Sequence, residues 1–155
     1  MRLPPFQKLI DTHGRDVHRL LVALVGRGDA DDCYQETWLA ALRAYPRLRD
    51  SSNLRSWLLT IAHRKAIDQL RTRRRVPALV GELPEPDPQT VAEPADEALW
   101  DRVRELPEKQ RTALALRYVV DASYAEISAL MRTSEDAARR NVHEGLKRLR
   151  TEYQP

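Results

Sequence analysis

Residues 123–150 read SYAEISALMRTSEDAARRNVHEGLKRLR, and their pattern is the most direct indication of the fold of the C-terminal half. Ser123 and Glu126 form an S-x-x-E capping box, which predicts a short helix that runs to Met131. Arg132-Thr133 then predicts a tight turn, because no helical period continues through these two polar residues. The stretch therefore begins as a helix of about two turns followed by a sharp break.

A last helix is expected after this break, capped by Thr133 or Ser134 and running to about Arg150. Asp136 in its first turn favours the positive end of the helix dipole. Val142, Leu146 and Leu149 form an apolar stripe that must face a core. A short helix, a tight turn and a longer basic helix together indicate a helix-turn-helix unit.

The second helix of such a unit fits the major groove of DNA, with its first turns at the base edges. Arg can bind guanine, Asn can bind adenine, and Lys can neutralise phosphates. The last helix carries residues of these types at Arg139, Arg140, Asn141, Lys147 and Arg148, and His143 lies among them. The alternative, an amphipathic helix whose charged face is merely solvated, stays open on spacing alone.

Upstream, two further helices are expected, one near Asp96–Leu106 and one that opens at Pro107 and runs to about Val119. Before them, residues 76–95 contain five Pro, four acidic residues and no basic residue. Proline disfavours helix, so this segment is predicted to be a flexible acidic linker. It divides the chain into an N-terminal domain at 1–75 and a C-terminal domain at 96–155.

The N-terminal half is predicted to hold three or four helices. A 3.6-residue apolar period runs from Phe6 to Val25, and Gly26-Arg27-Gly28 ends it. Asp29 is expected to cap a second helix that stops before Pro46. A polar loop and a long helix, from about Leu54 to Arg75, follow. On the second helix, one face is predicted to carry Tyr34, Trp38, Ala41, Leu42 and Tyr45.

The composition limits the classes of protein that fit. The chain has 155 residues, of which 42% are apolar, with one Phe and five Gly, and this mix favours an all-α fold of two small helical domains. A single cysteine, Cys33, is expected in the core and excludes an internal disulfide. No apolar run could span a bilayer and no signal peptide is evident, so the cytoplasm is expected.

Basic residues also cluster at the end of the long helix, where Arg71-Thr72-Arg73-Arg74-Arg75 follows His63, Arg64 and Lys65. They can contact phosphates or simply favour a helix C-terminus. The polar loop at 49–53 could hold an unstacked base. The aromatic side chains of Trp38, Tyr45 and Trp57 lie on apolar faces, where core packing is expected. No catalytic set, cofactor motif or metal cluster is found.

Four segments, in order, resemble the extracytoplasmic-function group of the sigma-70 family. DADDCYQETW at 29–38 resembles D-A-E-D-L-V-Q-E-T-F. LRSWLLTIAHRKAID at 54–68 resembles F-R-T-W-L-x-x-I-A with A-x-D after it. LPEKQR at 106–111 resembles L-P-x-x-Q-R, and SYAEI at 123–127 resembles S-Y-x-E-I. The resemblance implies a sigma region 2-like bundle and a region 4-like helix-turn-helix domain.

It also implies partners and roles: core RNA polymerase, promoter DNA melted at −10 and duplex at −35, and, for many members, a separate anti-sigma protein. The residues it assigns to polymerase binding are Asp29, Asp32, Gln35 and Glu36. Those assigned to the −10 element are Arg49, Ser51, Ser52, Asn53, Arg55, His63, Arg64, Arg71 and Arg74. Those assigned to the −35 element are Ser123, Tyr124, Ser134, Arg139, Arg140, His143 and Lys147.

Some positions depart from the family pattern. Cys33 and Tyr34 replace aliphatic residues, Arg64 stands where Asn is common, and Arg132 replaces the usual turn glycine. Ala137–Asn141 also differs from the usual T-V-K-S-R, which puts the −35 preference in question.

Two other classes of protein are alternatives to a sigma factor. A stand-alone helix-turn-helix regulator would bind duplex DNA without core polymerase, but it would not need the motif at 29–38. An enzyme would need a pocket of titratable residues that the sequence does not show.

Overall fold

The computed structural model describes residues 3–75 and 94–153, and over these ranges the chain forms helices and no strand. The helices are α1 (Phe6–Val25), α2 (Arg27–Ala44), a 3₁₀ turn (Tyr45–Arg47), α3 (Leu54–Arg75), α4 (Pro94–Glu105), α5 (Glu108–Tyr118), α6 (Tyr124–Met131) and α7 (Glu135–Tyr153). They form two compact units, one containing α1–α3 and the other α4–α7. The predicted all-α class with two small domains is confirmed.

The domain limits stay predictions. Most of the linker predicted at 76–95 lies outside the described residues. Its last two residues, however, already belong to α4, which opens at Pro94 rather than at Asp96. Proline is well tolerated at a helix start because the missing N–H has no partner there in any case.

The first unit is a three-helix bundle in which α1, α2 and α3 pack against one another. The apolar stripe of α1 supplies Val17, Leu20, Leu21 and Leu24, all fully buried. The facing side of α3 supplies Leu58 and Leu59, at 0% and 2% exposure. Each such side chain contributes about 1.5–3 kcal/mol on burial, so this seam is the main source of the unit's stability.

A glycine corner joins α1 to α2, and here the predicted cap was wrong. Gly26 takes φ 84°, a conformation in which a Cβ would be strained, and it occupies the N-cap position of α2. Asp29 therefore lies in the first turn of α2 rather than before it. Its carboxylate still favours the positive end of the helix dipole.

Aromatic rings fill the end of the first unit nearest the chain start. Phe6 packs edge-on against Trp38, with ring centroids 5.8 Å apart, and also contacts Tyr45 at 5.4 Å. Tyr45 donates its O–H to the carbonyl of Pro4, and its ring meets Trp57 at 6.2 Å. Core packing is confirmed for Trp38 and Tyr45, while Trp57 is half-buried.

Cys33 lies in the core, as predicted, with 1% of its surface exposed. Its Sγ faces the carbonyl oxygen of Lys65 at 4.0 Å, across the seam between α2 and α3. Burial, and then the nearby carboxylates of Glu36, Asp29 and Asp32, raise the pKa of this thiol to about 11. The thiol is therefore kept protonated and acts as a small core residue.

The second unit is built around α5, whose residues 111–116 are all buried. Helix α7 packs on α5 and α6 through Ala138, Val142, Gly145 and Leu149. The predicted stripe was therefore partly wrong, since Leu146 is only half-buried and Gly145 takes the central place. A Cβ there would lie 2.7 Å from Leu114 Cδ1, so glycine permits the close approach of the two helices.

The turn chemistry of this unit follows the sequence closely. Ser123 Oγ accepts from the Glu126 backbone N–H at 3.1 Å, and the Glu126 carboxylate accepts from the Ser123 N–H at 3.3 Å. Arg132 is left-handed, with φ 55° and ψ 51°, and ends α6. Ser134 Oγ then accepts from the Ala137 N–H at 3.0 Å and caps α7. The helix-turn-helix prediction is confirmed.

Candidate protein and nucleic-acid interfaces

The outer face of α2 brings together the residues predicted to bind polymerase. Asp32, Gln35 and Glu36 are exposed, whereas Asp29 is half-buried at the start of the helix. They point outward because Ala30, Cys33, Thr37, Trp38 and Ala41 hold the opposite face in the core. The helix thus presents an acidic and amide-bearing surface to solvent.

Two leucines extend this surface, and the sequence analysis missed both. Leu39 is 52% exposed and Leu42 is 51% exposed. At ~100° per residue they lie within about 80° of Asp32 and Gln35 around the helix. The prediction that Leu42 lies on the apolar core face is wrong; its spacing of seven residues from Gln35 is the signal that places it outside.

The loop before α3 is held by its own side chains. Asp50 Oδ1 accepts from the Ser52 backbone N–H at 2.8 Å, and this hydrogen bond holds the pKa of Asp50 below its usual value. Asn53 Oδ1 accepts from the Ser56 N–H at 3.2 Å, so Asn53 caps α3. Arg49 and Ser52 are exposed and Ser51 is half-buried. The loop is therefore ordered, with part of its polar surface free to face a ligand.

The basic residues of α3 do not share one face. At ~100° per residue Arg64 and Arg71 lie on one side of the helix and Arg55 lies opposite them. Arg64 and Arg71 are exposed. Arg55 instead pairs with Asp16 of α1, Nε to Oδ2 at 3.5 Å, and His63 is half-buried with a partner of its own. The side chain of Arg74 lies outside the described residues.

His13, on α1, lies near enough to both members of this pair to feel their charges. Burial lowers its pKa from the ordinary value, the Asp16 carboxylate opposes that shift, and Arg55 adds to it. Arg55 is therefore paired with a residue of α1, on the side of α3 opposite Arg64 and Arg71.

In the second unit, the exposed face of α7 carries Arg139, Arg140, His143 and Lys147, as the sequence predicted. Ser123 and Ser134 are exposed and also serve as helix caps. Tyr124, the first residue of α6, is half-buried and lies against two guanidinium groups. Seven predicted −35 residues are therefore found on one side of one small unit or at the caps beside it.

Residues 3–75 and 94–153 contain no group of three or more His, Cys, Asp and Glu side chains placed to hold a metal ion. None of the helices in those ranges combines the length and apolar character that a bilayer crossing requires.

Comparison with known proteins assigns both units. Residues 9–76 match the family described as Sigma-70 region 2, and residues 96–149 match Sigma-70, region 4. The RNA polymerase sigma factor CarQ of Myxococcus xanthus is 32% identical over 151 residues, covering 94% of this chain and 87% of CarQ. The ECF RNA polymerase sigma factor SigX of Bacillus subtilis is 29% identical, covering 94% and 81%.

Solved structures agree on the fold. The sigma factor RpoE, solved with the anti-sigma factor NepR from Bartonella quintana, matches with a TM-score of 0.78 at 20% identity, over 96% of each chain. CnrH, solved with the cytosolic domain of CnrY, matches with a TM-score of 0.71 at 21% identity, over 94% of this chain and 85% of CnrH. Two family regions in order and a relative matched over nearly its full length together show that this chain belongs to the sigma-70 family of RNA polymerase sigma factors, in its extracytoplasmic-function group.

Proposed function

We propose that the two units of this sigma factor have different binding roles. The first unit binds core RNA polymerase through the outer face of α2 and holds the melted −10 element with the loop at 49–53 and the exposed arginines of α3. The second unit reads the −35 duplex with α7. The observation that carries the proposal is the outward face of α2, which a regulator acting on DNA alone would not require.

The docking surface on α2 combines two kinds of contact. Asp32, Gln35 and Glu36 supply hydrogen-bond acceptors and negative charge, and Leu39 and Leu42 supply apolar area beside them. Interfaces of this kind gain most of their free energy from a desolvated apolar centre, and the polar rim gives orientation. A positively charged helical surface with an apolar centre is the chemistry that fits it.

DNA contacts follow from charge and exposure. In this proposal Arg64 and Arg71 meet phosphates along one side of α3, and Arg49 and Ser52 contribute from the loop before it. On α7, Arg140 and His143 lie in the turns that enter the groove, where Arg can fork onto guanine O6 and N7. Lys147, farther along the helix, meets a phosphate in this proposal.

The chain acts without chemistry of its own, since polymerase carries out RNA synthesis, and it works in the cytoplasm, where core polymerase and the chromosome are found. A separate anti-sigma protein is a further partner in this proposal. The sigma factor RpoE above was solved with an anti-sigma factor, and the exposed face of α2 gives an inhibitor a surface from which to exclude core.

A band-shift assay with core polymerase added or omitted tests the proposal. The chain alone should bind promoter DNA weakly, and the chain with core should bind it tightly and start run-off transcripts. Tight, sequence-specific binding without core, and no transcripts with it, would instead favour a stand-alone helix-turn-helix regulator. Run-off transcription from genomic fragments then identifies the promoters.

A further inference from the structure

The ring of Tyr124 lies where three helices of the second unit converge. Tyr124 opens α6, Arg117 lies in the last turn of α5, and Arg139 lies in the second turn of α7. The guanidinium carbon of Arg117 lies 4.4 Å from the ring centroid, and that of Arg139 lies 4.7 Å from it. Both distances are within the ~6 Å at which a cation is attracted to an aromatic face.

Each guanidinium has a second anchor. Arg117 donates from Nη1 to the carbonyl of Ala122 at 3.1 Å, in the turn between α5 and α6. Arg139 Nη1 lies 3.5 Å from Asp136 Oδ1, one helical turn earlier on α7. These contacts hold two long side chains in fixed directions. Less side-chain entropy is therefore lost when such an arginine binds DNA.

Two positively charged guanidinium groups lie beside the ring of Tyr124, and only that of Arg139 extends far into solvent. The side chain of Arg139 is 48% exposed, and it lies on the face of α7 that carries Arg140 and His143. Attraction to the π face offsets the repulsion between the guanidiniums. Because guanidiniums occupy the ring, Tyr124 is poorly placed to stack on a base.

We infer that Tyr124 is a positioning residue for −35 recognition, which holds Arg139 in the direction that DNA requires and does not itself read a base. The inference rests on the proposed function of the second unit. It changes the role predicted for Tyr124 from the sequence, where it was grouped with the DNA contacts. It also makes the sequence preference depend on a ring that need not touch the DNA.

The test is initiation by full-length holoenzyme on a library of randomised −35 elements. Tyr124→Leu should lower use of the preferred −35 sequence by roughly 3- to 10-fold and relax the preference at one position. Tyr124→Phe keeps the ring and should retain the preference. Tyr118→Leu is the matched control, because Tyr118 is 56% exposed and follows Arg117 in sequence, but its ring is not the one that Arg117 and Arg139 contact. Thermal melting of each variant checks the fold, and Tyr124→Met, with an unbranched side chain, must repeat the leucine result.

A double-mutant cycle separates positioning from a general structural role. In an Arg139→Ala background, Tyr124→Leu should cause little further change in the preference, because the ring acts through that arginine. Equal losses in both backgrounds would overturn the inference, as would an unaltered preference in Tyr124→Leu alone. A wild-type holoenzyme with no −35 preference would overturn both the inference and the proposed function, whereas a wild-type preference that survives Tyr124→Leu removes the inference only.

Discussion

Cys33 shows how a buried thiol is kept inert. Its pKa is raised from 9.0 to about 11, chiefly by burial, so near pH 8 the native thiolate is about 100-fold scarcer than in the unfolded chain. Alkylation by iodoacetamide should therefore be at least ~100-fold slower in the native protein than in denaturant. Equal rates in the two states would contradict the buried placement.

The same shift sets a pH dependence. A group whose pKa is raised on folding contributes stability that is complete below its unfolded pKa and is lost as pH rises. The free energy of unfolding should thus fall between about pH 9 and 11 through Cys33, and Cys33→Ala should remove that part of the fall.

Asn53 has two roles that one substitution would confuse. Its side-chain oxygen caps α3, so Asn53→Ala should cost about 0.5–2 kcal/mol of stability whatever its effect on DNA. Asn53→Ser retains an oxygen at the cap and should restore the stability. If the amide also binds the −10 strand, both variants should lose affinity for a single-stranded −10 oligonucleotide in the holoenzyme. Recovery of that affinity in Asn53→Ser would limit Asn53 to capping.

Among the helices, α2 carries exposed residues whose substitution should change binding to core polymerase without changing the stability of the fold. Leu39→Ser and Leu42→Ser should each lower core polymerase affinity, by about 1 kcal/mol or roughly fivefold, because a leucine that is half-exposed now would be buried on docking. Asp32→Ala combined with Gln35→Ala should lower it as well. Thermal stability should change little in all of these variants, since none removes a buried side chain. Leu99→Ser, at 37% exposure on α4, is the matched control. Unchanged core affinity in every α2 variant would place the docking surface elsewhere.

The close approach of α5 and α7 makes Gly145 sensitive. In Gly145→Ala the new methyl group meets Leu114 Cδ1 and Cγ at 2.7 and 3.1 Å, so overpacking of about 1–3 kcal/mol should exceed the gain of about 1 kcal/mol in helix propensity. Gly28→Ala is the control, because nothing lies within 4 Å of its added Cβ, and it should be neutral or stabilising. Hydrogen exchange in each unit measures both effects. Stabilisation by Gly145→Ala would show that Leu114 moves aside freely.

Helix limits could be predicted closely from the sequence because local chemistry sets them. The capping box at Ser123, the break at Gly26 and the stop before Pro46 each act through backbone groups within a few residues. The N-cap of α2 was predicted at Asp29, three residues too late, because Gly26 with its positive φ takes that place. Side-chain roles were harder to predict. The stack on Tyr124 and the pair of Arg55 with Asp16 join residues far apart in sequence, and no local period encodes them.

Across the whole chain, charge is placed unevenly. Residues 1–75 hold 15 Lys and Arg against 8 Asp and Glu, a net of +7. Residues 76–95 hold four acidic residues and no basic one, and residues 96–155 are balanced at 11 of each. Positive charge therefore belongs to the unit proposed to hold melted DNA, and negative charge to the segment between the units. We propose two effects of such a segment: it lowers nonspecific DNA binding by the free chain, and it occupies a basic channel of the polymerase in place of RNA phosphates.

Removing the negative charge of residues 76–95 tests whether this segment lowers nonspecific DNA binding or binds a channel of the polymerase. A variant with its four acids changed to amides (Glu82→Gln, Glu85→Gln, Asp87→Asn and Glu93→Gln) raises the net charge from +3 to +7. It should bind nonspecific DNA more tightly at low salt, because the free chain carries more positive charge. A control variant with the same net charge changes four exposed acids that lie away from α2 (Asp11→Asn, Glu97→Gln, Glu105→Gln and Asp121→Asn). If these four acids bind a basic channel of the polymerase, only the first variant should lose affinity for core polymerase. The difference from wild type should shrink at high salt, because salt screens the attraction. Equal behaviour of the two variants with core would mean that total charge alone matters, and would remove the proposed role of the acidic segment inside the polymerase.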